Sequence, residues 1–460
     1  MPRKSVQKYY KYLNCANISK YFLVDCIFFR TFARFFVQNR KLETRNVKLE
    51  TFTYNSGLRL VHRESESDVA YVGIAVRAGT RDEEPRLNGL AHYVEHCVFK
   101  GCTTARGKKR TARQIINNIE GIGGEINAFT TKEETTFYAA TPIEHFRQTL
   151  DLIADMVLRP TFPKHETDKE LGVILDEIES YEDSPSELIY DDFEALLFRG
   201  NSLAQPILGK RNTLKTISSK PDYAANWVKQ HFTPDRMVVF SQGKIPFAKV
   251  QKMVEKLNIQ PQANVSVSSR LGLEESQGEN TQVFHRHTHQ VHVMLGGKAY
   301  PLGHKDQLGA YFLNNILGGG SLNSRLNLRL REQKGLVYTI ESQYVPLSDT
   351  GYWNVYFACE PQHKDECIAL VKDELQKLRN VCLTDAQHML ALKQLRGQMA
   401  ISAENQENSV LAMAKQMMYY GCAPSWQESY AKIAQFTPTD LQRIASEIFD
   451  EKSLFTLIYE

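Results

Sequence analysis

From Val47 onward, short apolar runs alternate with longer segments in which apolar residues recur every three to four positions. That rhythm predicts strands interleaved with helices. Leu49–Tyr54 leads through an Asn55-Ser56-Gly57 turn into Leu58–Val61, two short strands. Tyr71–Val76 is a buried strand and ends at Ala78-Gly79-Thr80-Arg81. A basic loop, Arg106–Arg110, precedes an amphipathic helix from Thr111 to Ile119, which Gly121–Gly124 closes. Ile126–Thr130 and Thr135–Ala139 form a hairpin around Thr131–Glu134. Helices at about 144–158 and about 164–181 follow, then further helices to a loop holding Gly209, and a last strand at Met237–Phe240. The stretch from Pro261 to Thr281 is polar, lacks periodicity and reads as a linker.

The second half repeats the first. Adding 219 takes His92 to Tyr311, Glu95 to Asn314, His96 to Asn315 and Gly101 to Gly320, and Pro142 to Pro361. Each of the two prolines is followed by two long helices. The pattern along the chain predicts a first domain over 46–258, a linker over 259–281 and a second domain over 282–460. Of a targeting presequence, a membrane-surface helix and an upstream extension, residues 1–45 fit the last best, and they read as an N-terminal appendage that takes no part in the fold.

A chain of 460 residues suits two domains. The net charge of +3 conceals an asymmetry: residues 1–45 carry ten Lys/Arg against Asp25 and Glu43, or +8, which leaves −5 on the rest. A body of that charge gives no reason to expect nucleic acid. Tyr21–Arg30 is too short and too charged for stable membrane insertion, and it lacks a signal-peptide cleavage site. The eight cysteines are scattered without Cys-x-x-Cys, the pattern of free thiols in a reducing compartment. Bacterial cytoplasm fits that pattern, with mitochondrial matrix as the alternative.

The chemistry concentrates in Gly89–Gly101. On a helix, His92 and His96 leave one face a turn apart, and Glu95 lies between them. Two neutral imidazoles suit zinc, and a neighbouring carboxylate outside the ligand set can accept a proton from water. His-x-x-Glu-His is the inverted zinc-peptidase motif. A third ligand belongs on another element. The helix after Pro163 offers Glu170 and Glu177, seven apart on one face, while Glu166, Asp168, Asp176 and Glu179 compete on the same segment and spacing does not choose among them. His285, His287 and His289 alternate as on one strand face and, with His292, read as a solvated face rather than a rival metal site.

From Val47 to the C-terminus the chain resembles the pitrilysin/insulinase superfamily, in the branch of the mitochondrial processing peptidase and its bacterial homologues. The resemblance rests on Gly89-Leu90-Ala91-His92-x-x-Glu95-His96, Gly124–Ala128, Glu170-x6-Glu177, Ile207-Leu208-Gly209 and Leu317–Leu326. It implies an α+β fold of two homologous domains, each a mainly antiparallel sheet with helices packed on one face. It implies one zinc ion per chain on His92, His96 and Glu177, with Glu95 as general base and Glu170 as a supporting carboxylate. Asn127 and Ala128 would lie on the edge to which substrate adds as a strand. Arg331 and Tyr338 match an R-x6-Y element that reaches substrate, where a tyrosine hydroxyl can assist at the oxyanion.

The implied activity is zinc-dependent endopeptidase hydrolysis of peptides or unfolded segments within a dimer chamber. The partner would be a second copy or a related subunit, which contributes Arg331 and Tyr338. The rival reading is a non-catalytic subunit of a processing-peptidase-like complex.

Overall fold

The computed structural model describes residues 49–220, 222–261, 280–286 and 288–460. The basic N-terminal extension, nearly all of the predicted linker and His287 lie outside the described residues. The first half contributes β1 (Leu49–Thr53), β2 (Arg59–Glu64), β3 (Val69–Val76), β4 (Gly101–Thr103), β5 (Lys109–Thr111), β6 (Glu125–Thr130), β7 (Thr135–Pro142) and β8 (Met237–Gly243). The second contributes β9 (Thr281–Phe284), β10 (Val291–Ala299), β11 (Val337–Pro346), β12 (Gly351–Cys359) and β13 (Phe455–Tyr459). Helices fill the intervals, and the fold is α+β.

Two sheets carry the duplication. The first runs β1-β2-β8-β3-β7-β6 and the second β9-β13-β10-β12-β11. Laid side by side, β2-β8-β3-β7-β6 corresponds strand for strand to β9-β13-β10-β12-β11. Even the exceptions agree: β2 pairs β8 and β9 pairs β13 in parallel, while the remaining pairs of both sheets are antiparallel. One edge of the first sheet is β6, bonded to β7 alone, and the corresponding edge of the second is β11.

Helices from each half cover one face of its own sheet. The other face is covered by a helix from the opposite half. Val410, Met413, Ala414, Met417 and Met418, on the helix Gln406–Tyr420, pack on Val61, Ala75, Val238 and Phe240 of the first sheet. Reciprocally, Ile189, Phe193 and Leu197, on the helix Pro185–Leu197, pack on Met294, Tyr352 and Leu457 of the second. This double covering explains why strands such as β3 read as continuous apolar runs. Val72, Ile74 and Val76 serve one core and Ala75 the other, so both parities are apolar.

Polar contacts fasten the same exchange. The β6–β7 turn and the β11–β12 turn meet at Arg81, whose fully buried guanidinium holds Glu133 at 2.7 Å and Asp349 at 2.6 and 2.5 Å. Ser348 donates its backbone N–H and its hydroxyl to Glu133. Lys132, also buried, pairs with Glu194 at 2.8 Å, and Glu194 accepts from the Tyr352 hydroxyl of β12. Removing one partner of such a buried pair strands a charge, which costs about 3–5 kcal/mol.

Two sequence expectations change. The basic segment after the motif is a β-hairpin, β4 and β5 around Arg106-Gly107, rather than a loop, because its backbone pairs Cys102 with Arg110 and with Pro160. His285 and His289 lie on no strand. Arg286 bonds Asp192 and stacks over Tyr459, pulling the chain out of the sheet after β9. The two histidines line a surface groove with Glu182 and Asp183, and His292, on β10, shares a hydrogen bond with Tyr356.

Because each half completes the other's core, thermal unfolding by calorimetry is expected to show one cooperative transition. Phe193→Ala should lower that transition as a whole, by about 3–5 kcal/mol, without splitting it. Two transitions would contradict the exchange. Acid stability provides a second check. His231 stacks on Trp227 and accepts from Arg236 at 3.1 Å, and burial, aided by Arg236, lowers its pKa to about 4. The neutral form is favoured in the fold, so stability is full above about pH 6.5 and falls as pH drops toward 4. The loss is on the order of 3 kcal/mol. Melting temperatures from pH 7.5 to 4 should show a shallower acid limb in His231→Gln than in the wild type.

Candidate metal centre

The motif helix, Leu90–Val98, begins on Gly89, whose φ of 97° lies in the left-handed region. A Cβ there would stand 2.8 Å from the Cα of Gly209, and one on Gly209, at φ 78°, would stand 2.5 Å from that of Gly89. The two glycines thus pack backbone to backbone, which accounts for the Ile207-Leu208-Gly209 segment so far along the chain. The helix start is capped by Glu83, whose carboxylate accepts from Ala91 N–H at 2.7 Å, Gly89 N–H at 2.9 Å and the Asn88 amide at 3.0 Å. Burial pushes that carboxyl up to about 8, against the downward pull of these donors.

His92, His96 and Glu177 come together, with one ligand atom from each within 4.8 Å of the others. Glu177 Oε2 lies 3.9 Å from His92 Nε2 and 3.6 Å from His96 Nε2. Among the described residues this is the one group of three or more His, Cys, Asp or Glu side chains so arranged. Glu177 and Glu170 both face inward from the helix Lys164–Glu182, alongside buried Ile174 and Ile178. The competing Glu166, Asp168, Asp176 and Glu179 stay outside the cluster.

The electrostatics of the cluster fit a cation. Burial, and next the neighbouring His96, hold His92 well below the usual imidazole pKa, so it is neutral. A neutral imidazole has one nitrogen that can only accept, yet neither His92 nitrogen has a hydrogen-bond partner, and Glu177 Oε2 has none either. An accepting imidazole nitrogen and a carboxylate oxygen thus lie buried side by side without hydrogen bonds, an arrangement that suits a divalent metal. His96 is oriented from its other nitrogen: Nδ1 lies 3.2 Å from Glu170, which Lys100 holds from the far side at 2.8 Å. Burial alone would lower His96, but Glu170, Glu177 and Glu95 outweigh it and raise its pKa.

Glu95 lies beside the cluster and is also buried. Burial pushes its carboxyl up to about 7; His96 and the Thr130 hydroxyl oppose that rise and Glu177 adds to it. Thr130 Oγ1 donates to Glu95 Oε2 at 2.5 Å. Thr130 ends β6, the edge strand that also carries Asn127 and Ala128, opposite Tyr138 and Phe137 of β7.

Arg331 and Tyr338 are not drawn to this cluster. Arg331 stacks over the Tyr338 ring at 5.5 Å, and Tyr338, on the edge strand β11, is 72% exposed. Neither is hydrogen-bonded or ion-paired to the cluster among the described residues. The sequence reading missed Glu83, Lys100 and Thr130. Glu83 acts on groups five, six and eight residues ahead, across the short 3-10 turn Pro85–Leu87, Thr130 is a polar strand end and Lys100 lies past the end of the motif helix at Val98, so none of the three carries a local signal.

The description Insulinase (Peptidase family M16) matches residues 59–211, and Peptidase M16 inactive domain matches residues 220–395. The chain is 31% identical over 413 residues to an uncharacterized zinc protease of Streptomyces coelicolor, covering 88% of each. It is 30% identical over 413 residues to an uncharacterized zinc protease of Bacillus subtilis, covering 89% of this chain and 98% of that one. A protease from Helicobacter pylori superposes with a TM-score of 0.81 at 20% identity, over 90% of this chain and all of the other. A peptidase M16 inactive domain from Pseudomonas fluorescens does so at 0.79 and 16%, over 90% and 98%. The active-type domain falls on the half that holds the histidines and the inactive type on the half that lacks them, and the chain belongs to the insulinase family of peptidases, family M16.

Proposed function

We propose that this chain is a zinc metalloendopeptidase that hydrolyses peptides or unfolded polypeptide segments bound in extended form inside a dimer chamber. The observation that carries the reading is the cluster of unpartnered buried acceptors on His92 and Glu177, with Glu95 held beside it. The relatives named zinc proteases support zinc as the metal. His92, His96 and Glu177 would hold one ion per chain, and Glu170 would orient His96.

Zinc, when bound, supplies a Lewis acid that acidifies water and polarises a carbonyl. Glu95 takes the proton from the attacking water and delivers it to the leaving amine. Burial raises this carboxyl and a bound cation would lower it, opposing pulls on a group that must first accept a proton and then give it up. The free edge of β6 at Asn127 and Ala128 binds substrate as an added strand, through main-chain hydrogen bonds that are indifferent to side chains. Tyr338 lacks a role in its own chain's cluster, and its exposure suits delivery, with Arg331, to the site of a second copy. The six described cysteines are free, in keeping with the reducing bacterial cytoplasm as compartment.

Elemental analysis beside cleavage of a quenched basic peptide tests the core of this. Wild type and Glu95→Gln should each hold about one zinc per chain, with kcat lower by about 10²–10⁴ in the variant, while Glu177→Gln should lose the metal. A wild type that binds zinc but cleaves nothing across a broad peptide set would favour the non-catalytic subunit. One that binds no zinc would remove the metal centre.

Subunit complementation tests the shared site. Glu95→Gln and Tyr338→Phe homodimers should each be impaired, and a mixed dimer should recover activity, since one of its two sites then has both residues intact. Equal impairment before and after mixing would place Tyr338 outside the neighbour's site.

A further inference from the structure

Glu95 is a buried acid with one hydrogen-bond partner for its carboxyl among the described residues, and that partner is a hydroxyl. We propose that Thr130 is a positioning residue for Glu95: its hydroxyl fixes the carboxylate, so that the strand which docks substrate also sets the base. The inference rests on the peptidase reading above and adds to it a residue outside the metal shell.

Three observations support it. First, the bond is short and dry. Thr130 Oγ1 and Glu95 Oε2 are 2.5 Å apart and both residues are buried, so water is a poor substitute for the donor. With Oε2 engaged, Oε1 is left as the oxygen that exchanges a proton. Second, the donor itself is fixed. Threonine is β-branched and stiff at χ1 on a strand, and Thr130 is in register with Thr135 of β7. Third, the end of β6 is held from both sides. Thr131 and Lys132 carbonyls accept from the backbone of Thr80 and Arg81, and Arg81 in turn ties Glu133 to Asp349 of the other half. The turn therefore does not move freely, and neither does the hydroxyl.

The consequence is a coupling along one strand. Asn127 and Ala128 are two to three residues from Thr130 on the same rigid segment. A substrate strand paired with β6 is placed relative to Glu95 by the β6 backbone alone, in the way that catalytic placement to within a fraction of an ångström requires. A valine, nearly the same shape, keeps the strand and removes the donor. A serine keeps the donor.

Steady-state kinetics on wild type, Thr130→Val and Thr130→Ser, with zinc content measured in each, test the proposal. Thr130→Val should lower kcat at least tenfold with KM within twofold and zinc unchanged, and Thr130→Ser should remain within threefold of wild type. In the Glu95→Gln background the valine should add no further loss, because it acts only through the carboxylate. Binding of a fluorescent peptide to Glu95→Gln, read by anisotropy, should be unchanged by it. If valine lowers the melting temperature, Thr130→Ala replaces it with the same expectations. A Thr130→Val enzyme within twofold of wild-type kcat, a serine variant as poor as valine, or a full additional loss in Glu95→Gln overturns the proposal and leaves the peptidase reading standing. A wild type that cleaves no peptide overturns both.

Discussion

Everything in the first half is arranged around an imidazole that the fold leaves unsatisfied. His92 is buried, uncharged and without a hydrogen-bond partner at either nitrogen. Burying such an acceptor without compensation costs about 1–3 kcal/mol, and Glu177 Oε2 beside it bears a similar cost. A protein keeps two adjoining groups in that condition only where the surrounding structure over-determines them. Here it does. Glu83 caps the motif helix through three donors, Gly89 and Gly209 lock its start against a distant loop, and Glu170 with Lys100 fixes the ring of His96.

That rigidity is not a property of the first half alone. The sheet beneath the motif helix has its far face closed by Met413 and Met417 from the second half, and its β6–β7 turn is tied to Asp349 through Arg81. The second half thus completes the core that holds His92, His96 and Glu177 in place. A duplicated domain can lose its own chemistry and stay indispensable, since the exchanged helices make its removal an exposure of about ten buried side chains.

What the sequence made legible was whatever repeats at a short period. The i, i+4 histidines, the seven-residue spacing of Glu170 and Glu177 and the hairpin of β6 and β7 all lie in local patterns, the 219-residue repeat shows because it copies such patterns, and each element formed where its pattern lay. The choice of Glu177 among six carboxylates was beyond spacing, because inward facing depends on how the helix Lys164–Glu182 packs, and it came from the resemblance. Glu83 and Thr130 were invisible for a related reason: each acts on the motif helix from another element, and one capping carboxylate or one strand-end hydroxyl looks like any other. The exchange of helices was hidden because Phe193 and Met417 face apolar surfaces with the same periodicity whichever half supplies the sheet. At His285 and His289 the alternation was real but misleading, as Arg286 finds its partners off the strand.

The second half supplies an internal control on the candidate metal centre. The offset that takes His96 to Asn315 takes Glu177 to within two residues of Gln398, and Asn315 Nδ2 donates to Gln398 Oε1 at 2.9 Å. At the place of Glu95, Asn314 donates to the Ser342 carbonyl and accepts from the Ser342 hydroxyl. The same backbone frame therefore exists twice, once with amides that satisfy one another and once with imidazoles and a carboxylate that do not. Where donors and acceptors are matched, the frame is stable without help and has nothing to offer an ion. In the first half two imidazoles and a carboxylate converge without a hydrogen bond among them, a set of side chains from which a divalent cation could take a lone pair each.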